Sequence, residues 1–180
     1  MSYPTTPAYV VDAQGWDENL LKHPMARFML AHEAVFDAKD IPACAPYYHP
    51  SLVYTKSTGQ SFTGQAAINQ MHADYALFAA FTHEPVHGVF VDTPNGGHTL
   101  FGHARIFVDL PGASDATRTE ADLSGRKWEC RSEGAFRFEV VKDEDGPLGY
   151  RMKSMSLFAD PSGILKVAVK RGLIPVEALT

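Results

Sequence analysis

The chain has 180 residues, enough for one domain with extra terminal segments and an ample core. Hydrophobic residues make up 45% and charged residues 21%, as in ordinary globular domains, and the net charge of −5 argues against a nucleic-acid or anionic-membrane binder, which needs a basic surface. Two cysteines (Cys44, Cys130), no apolar stretch near the length of a membrane helix and no basic-then-apolar N-terminus together predict a soluble, cytoplasmic protein without a disulfide framework.

Residues 1–23 mix Pro, Thr, Gly and acidic residues around Tyr9, Val10, Val11 and Trp16, and read as an extended arm. A helix is predicted from His23-Pro24 to about Asp37, since proline suits the first helical position and Met25, Phe28, Met29, His32, Val35 and Phe36 recur at helical spacing. A short helix follows over Ile41–Tyr47, and Ser51–Thr55 reads as a strand after the break at His49-Pro50. Beyond the turn Ser57–Gln60, a third helix is predicted from Gln65 to about Phe78, with Ile68, Met71, His72, Tyr75 and Phe78 on one side.

After Phe81 the hydrophobic period changes to two. Residues 82–93 and 98–109 read as strands of a hairpin closed by Pro94-Asn95-Gly96-Gly97. The polar segment 110–125 reads as a long loop. Strands are then predicted over Lys127–Val141 and Leu148–Ala159, and Asp160-Pro161 opens a last amphipathic helix ending near Gly172. Helices followed by long antiparallel strands give an α+β fold, a curved antiparallel sheet wrapped around the N-terminal helices as a cone-shaped barrel. The whole chain is expected to be a single domain: arm 1–23, core 24–160, and a helix or lid over 161–180. A cavity between sheet and helices is the expected small-molecule site.

The text Thr82-His83-Glu84-Pro85-Val86-His87 spells the H-E-x-x-H of zinc hydrolases, which requires a helix to bring both imidazoles to one face. Pro85 opposes that helix at a cost of about 3 kcal/mol. In a straight strand, His83 and His87 stand about 13 Å apart, too far to share one ion. A metal site on His83, His87 and His103 would need a bulge at Pro85, and no metal or organic cofactor is expected. Strand alternation places His83, Pro85, His87, Val89 and Val91 on one face of the first hairpin strand. Thr99, Phe101, His103, Arg105 and Phe107 share a face of the second, opposite Leu100, Ala104, Ile106 and Val108. A sheet apolar on both sides implies a homo-oligomer through its outer face. His23, His49 and His98 read as surface or hydrogen-bonded core residues, and His32 and His87 admit either role. His83 and His103 are the candidate acid and base, both expected to reach the cavity.

The segments Phe36-Asp37-Ala38-Lys39-Asp40, Pro50-Ser51-Leu52-Val53-Tyr54, Thr82-His83 and Gly102-His103 resemble the SnoaL-like division of the nuclear-transport-factor-two-like superfamily, nearest to the fungal scytalone dehydratase type. The resemblance covers about residues 24–160. It implies a pocket lined by Asp37 and Tyr54 with His83 and His103 as the catalytic pair, and a C-terminal tail that closes the cavity mouth. Three positions depart from the pattern: Phe36 where the dehydratases have a tyrosine, and Ala135 and Arg137 where they have serine and asparagine. Related chemistry on a different substrate follows.

The function expected is that of a cofactor-independent isomerase or dehydratase (lyase) of secondary metabolism. It would act on a small phenolic or polycyclic polyketide through an enolate, with polyketide cyclase and non-catalytic binding or scaffold module as alternatives. In that scheme Asp37 orients one imidazole and Tyr54 donates a hydrogen bond to the carbonyl. Phe28, Phe36, Tyr75, Phe101 and Phe136 form an aromatic wall, and His32, His72, His87 and Arg137 are further substrate-binding candidates.

Overall fold

The computed structural model describes residues 7–179, with the side chains of 178 and 179 left aside. The chain begins with strand β1 (Ala8–Asp12) and helix α1 (Pro24–Asp37). His23 caps α1 with its own ring, Nδ1 accepting from the Met25 amide at 3.2 Å, while Pro24 fills the first helical position. The short helix α2 (Ile41–Cys44) is capped by Asp40, whose side chain accepts from the Ala43 amide at 3.1 Å. Strands β2 (Tyr48–Thr55) and β3 (Ser61–Thr63) lead to α3 (Gln65–Asp74). The long hairpin β4 (Ala80–Asp92) and β5 (His98–Asp109) follows, then a small hairpin of β6 (Glu120–Ala121) and β7 (Lys127–Trp128). Strands β8 (Cys130–Lys142) and β9 (Tyr150–Ala159) and helix α4 (Ser162–Lys170) complete the domain.

The large sheet has the order β1-β4-β5-β8-β9-β2-β3. Every pair in it is antiparallel except β2 with β9, so the curved, open sheet is mixed, where the sequence predicts an antiparallel one. Part of the predicted arm, from Ala8 to Asp12, is an edge strand on β4; residues 1–6 lie outside the described ones. β2 begins at Tyr48, ahead of the predicted Ser51, because a register shift between Tyr48 and Val53 accommodates Pro50 within a strand. α3 ends at Asp74, short of the predicted Phe78. The predicted loop 110–125 carries one arm of the β6–β7 hairpin, anchored by the buried Trp128. α4 buries Ile164 and Ala168, and the described residues that line the main cavity end at Ala159.

The hairpin decides which side chains face the helices. His83 lies opposite Ile106 and Pro85 opposite Ala104, but beyond a bulge at Val86 the next pair is His87 with His103. Directly opposed residues share a face, so one extra residue inverts the alternation. His83 and Pro85 therefore face the concave side, whereas His87 joins His103 on the convex side. The single face predicted for His83, Pro85, His87, Val89 and Val91 is split in two.

The concave side leaves room because its middle is made of small residues. Gly88 stands opposite Gly102, and Ala104 opposite Gly134, which is in turn opposite Ala159. The Phe136 ring occupies the space a side chain at 102 would need: a Cβ there would collide with the ring and stand 2.8 Å from the His87 carbonyl oxygen. Gly102→Ala is expected to destabilise the protein by about 1–3 kcal/mol, read as a lower urea midpoint; an unchanged midpoint would contradict this packing.

Candidate active site

Helix α1 brings two polar residues into its buried stripe. Met25, Phe28, Met29, His32, Glu33 and Phe36 are buried at helical spacing, and Asp37 follows on the next step of that face. Glu33 is only 8% exposed and His32 1%. Opposite them, β4 presents His83, enclosed by the rings of Phe36, Tyr75 and Phe81 at centroid distances of 6.1, 5.8 and 5.7 Å.

His83 is fixed from one side. Its Nδ1 lies 2.7 Å from Asp37 Oδ1 and 2.9 Å from Glu33 Oε2. The Asp37 carboxylate also accepts from Thr82 Oγ1 and from the His83 amide through Oδ2, each at 3.1 Å. These bonds select Asp37 as the acceptor of the Nδ1 proton. His83 Nε2 is left 3.4 Å from the Tyr75 hydroxyl. Behind Glu33, His32 Nε2 is 2.8 Å from Tyr48 Oη, while its Nδ1 is 3.5 Å from Glu33 Oε1.

The electrostatics follow from burial and pairing. Burial disfavours charge on His83, but the Glu33 and Asp37 carboxylates outweigh it and hold its pKa well above the usual imidazole range. Burial pushes Glu33 up, and the His83 and His32 imidazoles overcome that, leaving its carboxyl well below the ordinary value. The stabilisation from His83 is thus fully present below about pH 6.5 and is lost as pH rises through its raised folded value. That from Glu33 is present above about pH 4.3 and is lost as pH falls through its depressed one. The raised pKa favours the imidazolium form of His83 beside Glu33 and Asp37. Burial raises the Tyr75 phenol, keeping it protonated.

The space within the cavity and its open mouth amounts to about 940 Å³. Its polar lining includes His32, Glu33, Tyr75 and His83; Trp16, Phe36, Phe90, Phe136 and Leu157 are among the apolar walls. Of the residues predicted from sequence, the fold gathers His83, His32, Phe36, Tyr75 and Phe136 at this cavity, with Asp37 directly behind His83.

The others are placed elsewhere. His103, expected to reach the cavity, faces the convex side with Nε2 3.4 Å from Glu133 Oε2. Phe101 and Arg137 share that face, the guanidinium 5.8 Å from the ring centroid. His87 is at the cavity wall, but its ring turns to Asp12, with Nδ1 2.7 Å from Oδ1. Tyr54 does not reach the cavity, because it faces α3 and donates to Asp74 Oδ2 at 2.9 Å. Phe28 is buried against Tyr47 and Tyr150, and His72 lies beyond Phe36 beside a smaller cavity. Glu33 was not among the predicted site residues. Its signal is positional: it stands four residues after Met29 and four before Asp37, on the buried stripe.

Among the described residues, two groups of side chains are close enough to converge on a cation, Glu33-Asp37-His83 and His23-Asp92-His98. In the first, the Nδ1 proton of His83 occupies the position a cation would take. In the second, His23 Nδ1 already accepts from the Met25 amide, which puts the proton of the neutral ring on Nε2, the atom facing Asp92 at 4.0 Å. The zinc reading of His83 with His87 fails for a new reason: the bulge that would have shortened their separation turns the two rings to opposite faces.

Held at Nδ1, His83 can exchange protons with a ligand only through Nε2. The charged ring is a general acid there, and the neutral ring that remains is a base. Removing the Glu33 charge by Glu33→Gln is expected to lower the His83 pKa by about 1–3 units, followed by NMR titration of the imidazole; an unchanged titration would remove Glu33 from the site's electrostatics.

No protein-family model matches the chain, and no curated protein does. Among solved structures it is similar to Aln2 from a Streptomyces species, with TM-score 0.60 and 15% identity over 82% of this chain and 95% of that one. A protein of Novosphingobium aromaticivorans, provisionally named a scytalone dehydratase, gives TM-score 0.56 and 12% identity over 79% of this chain and 86% of that one. The S. rosetta CaMKII hub gives TM-score 0.57 and 8% identity over 76% and 95%. At these identities the likeness shows a shared fold alone, the fold described as cystatin-like in two further neighbours.

Proposed function

We propose that the chain is an acid–base enzyme that isomerises or dehydrates a phenolic or polycyclic, polyketide-like compound without a metal or organic cofactor. One observation carries this reading: an imidazole fixed at Nδ1 by Asp37 presents Nε2 to an apolar cavity. The scytalone dehydratase name given to one structural neighbour agrees with it. In dehydration, the His83 imidazolium gives its Nε2 proton to the leaving hydroxyl, which departs as water with the C–O electron pair. The neutral Nε2 then takes a proton from the adjacent carbon, and the C–H pair becomes the new double bond. In isomerisation, the neutral form of the ring takes a proton next to a carbonyl at Nε2 and returns it at the conjugated carbon. Tyr75 donates to the developing oxyanion in the role expected of Tyr54. His103 has no part in this scheme.

Assembly through the convex sheet face belongs to the same proposal. Val10, Phe101 and Phe158 are 60%, 46% and 57% exposed there, and a structural neighbour is an assembly hub.

The test is turnover of hydroxylated bicyclic ketones by purified protein. His83→Ala is expected to lose about 10²–10⁴-fold in kcat, with His103→Ala staying near wild type and chelator having no effect. For dehydration, activity falls as pH rises through the raised His83 pKa, because the acid form is lost. Full activity in His83→Ala would sink the assignment, and loss on chelation would favour a metal at Glu33, Asp37 and His83.

A further inference from the structure

Among the described residues, three buried side-chain atoms have no hydrogen-bond partner: His32 Nδ1, Glu33 Oε2 and His72 Nε2. They cluster around Phe36, whose ring centroid is 5.5 Å from that of His32 and 5.5 Å from that of His72. Two of them, His32 and Glu33, belong to the cavity lining. Glu33 Oε2 is close to His83 Nδ1, at 2.9 Å, but that nitrogen carries one proton and Asp37 holds it. The Glu33 oxygen stands off the N–H direction as an ion-pair neighbour and accepts no hydrogen bond.

A buried carboxylate oxygen without a donor is costly, and protein structures rarely leave one so. His32 Nδ1, itself unpaired, stands 3.5 Å from the other Glu33 oxygen, Oε1, and the cavity that Glu33 lines is the side from which a donor can reach Oε2. His32 Nδ1 is in the same position, with Nε2 already bonded to Tyr48 and Glu33 Oε1 at the 3.5 Å limit. A hydroxyl is the smallest ligand group that both donates to a carboxylate and accepts from, or donates to, an imidazole. Carboxylate and ether ligands offer Glu33 no proton.

We propose that Glu33 is a specificity-determining residue that accepts a hydrogen bond from a phenolic, enolic or alcoholic hydroxyl of the ligand, beside the proton-transferring His83. The inference rests on the proposed small-molecule reading of the cavity and names the ligand group it selects. Sites built to bond a hydroxyl reject analogues that lack it far more strongly than apolar pockets reject a missing methylene.

The experiment measures binding rather than turnover, so it can fail independently of the acid–base assignment. Calorimetric titration compares 2-naphthol with 2-methoxynaphthalene, equal in ring system but lacking the donor, on wild type, Glu33→Gln and Glu33→Leu. Wild type is expected to prefer 2-naphthol at least about tenfold, as for a hydrogen bond to a charged acceptor. Glu33→Leu is expected to abolish the preference while still binding both probes, and Glu33→Gln, which keeps a carbonyl acceptor, to retain part of it. A wild type that binds the two probes equally, or binds neither, overturns the proposal. So does a preference that survives in Glu33→Leu. His83→Ala serves as the control: it is expected to lose turnover yet keep the preference for the hydroxyl.

Discussion

The carboxylate of Asp37 joins the two halves of the molecule. It stands at the end of α1 and takes three donors from two consecutive residues at the start of β4: the Thr82 hydroxyl, the His83 amide and the His83 ring. Helix and sheet thus meet at one hydrogen-bonded corner. The same corner fixes the imidazole's tautomer and rotation, so support of the fold and preparation of the reactive atom are one interaction. Glu33, one helical turn earlier, adds charge without adding a clamp. Asp37 positions the ring, and Glu33 changes its affinity for a proton.

The space in front of that corner comes from what the sheet lacks. A run of Gly88, Gly102, Ala104, Gly134 and Ala159 across four strands keeps the middle of the concave face low. Larger residues around it, Phe90, Phe136, Phe138 and Leu157, supply the walls. An apolar enclosure with a few polar atoms at one place strengthens each electrostatic interaction there, because little water competes.

The sequence made much of this readable. The first helix ends at Asp37 as its pattern predicts, the Pro94–Gly97 turn closes the long hairpin, and Asp37, expected to orient one of two imidazoles, stands against that of His83. What it concealed has specific causes. Alternation holds along the second hairpin strand, but the resemblance set His103 beside His83, and the bulge in the first strand sends the two to opposite faces. Proline inside a strand was the visible warning, since it cannot donate to the ladder. Glu33 stayed hidden because a glutamate on an amphipathic helix reads as solvent-facing. Only its place in the buried stripe tells otherwise. Tyr54 was lost to a partner on another element, Asp74, which no local pattern reveals. Tyr75, read as part of an aromatic wall, turned out to carry the phenol that reaches the imidazole.

The bulge at Val86 also separates what selection can act on. Because parity inverts there, β4 is two strands in one: the residues up to Pro85 send alternate side chains to the cavity, and those from His87 onward obey the opposite rule. Loss of one residue at the bulge would exchange inside for outside along one half and leave the other untouched. The segment beyond the bulge can therefore change which side chains it shows to each face while the segment bearing His83 stays in frame, a mechanical uncoupling within a single strand.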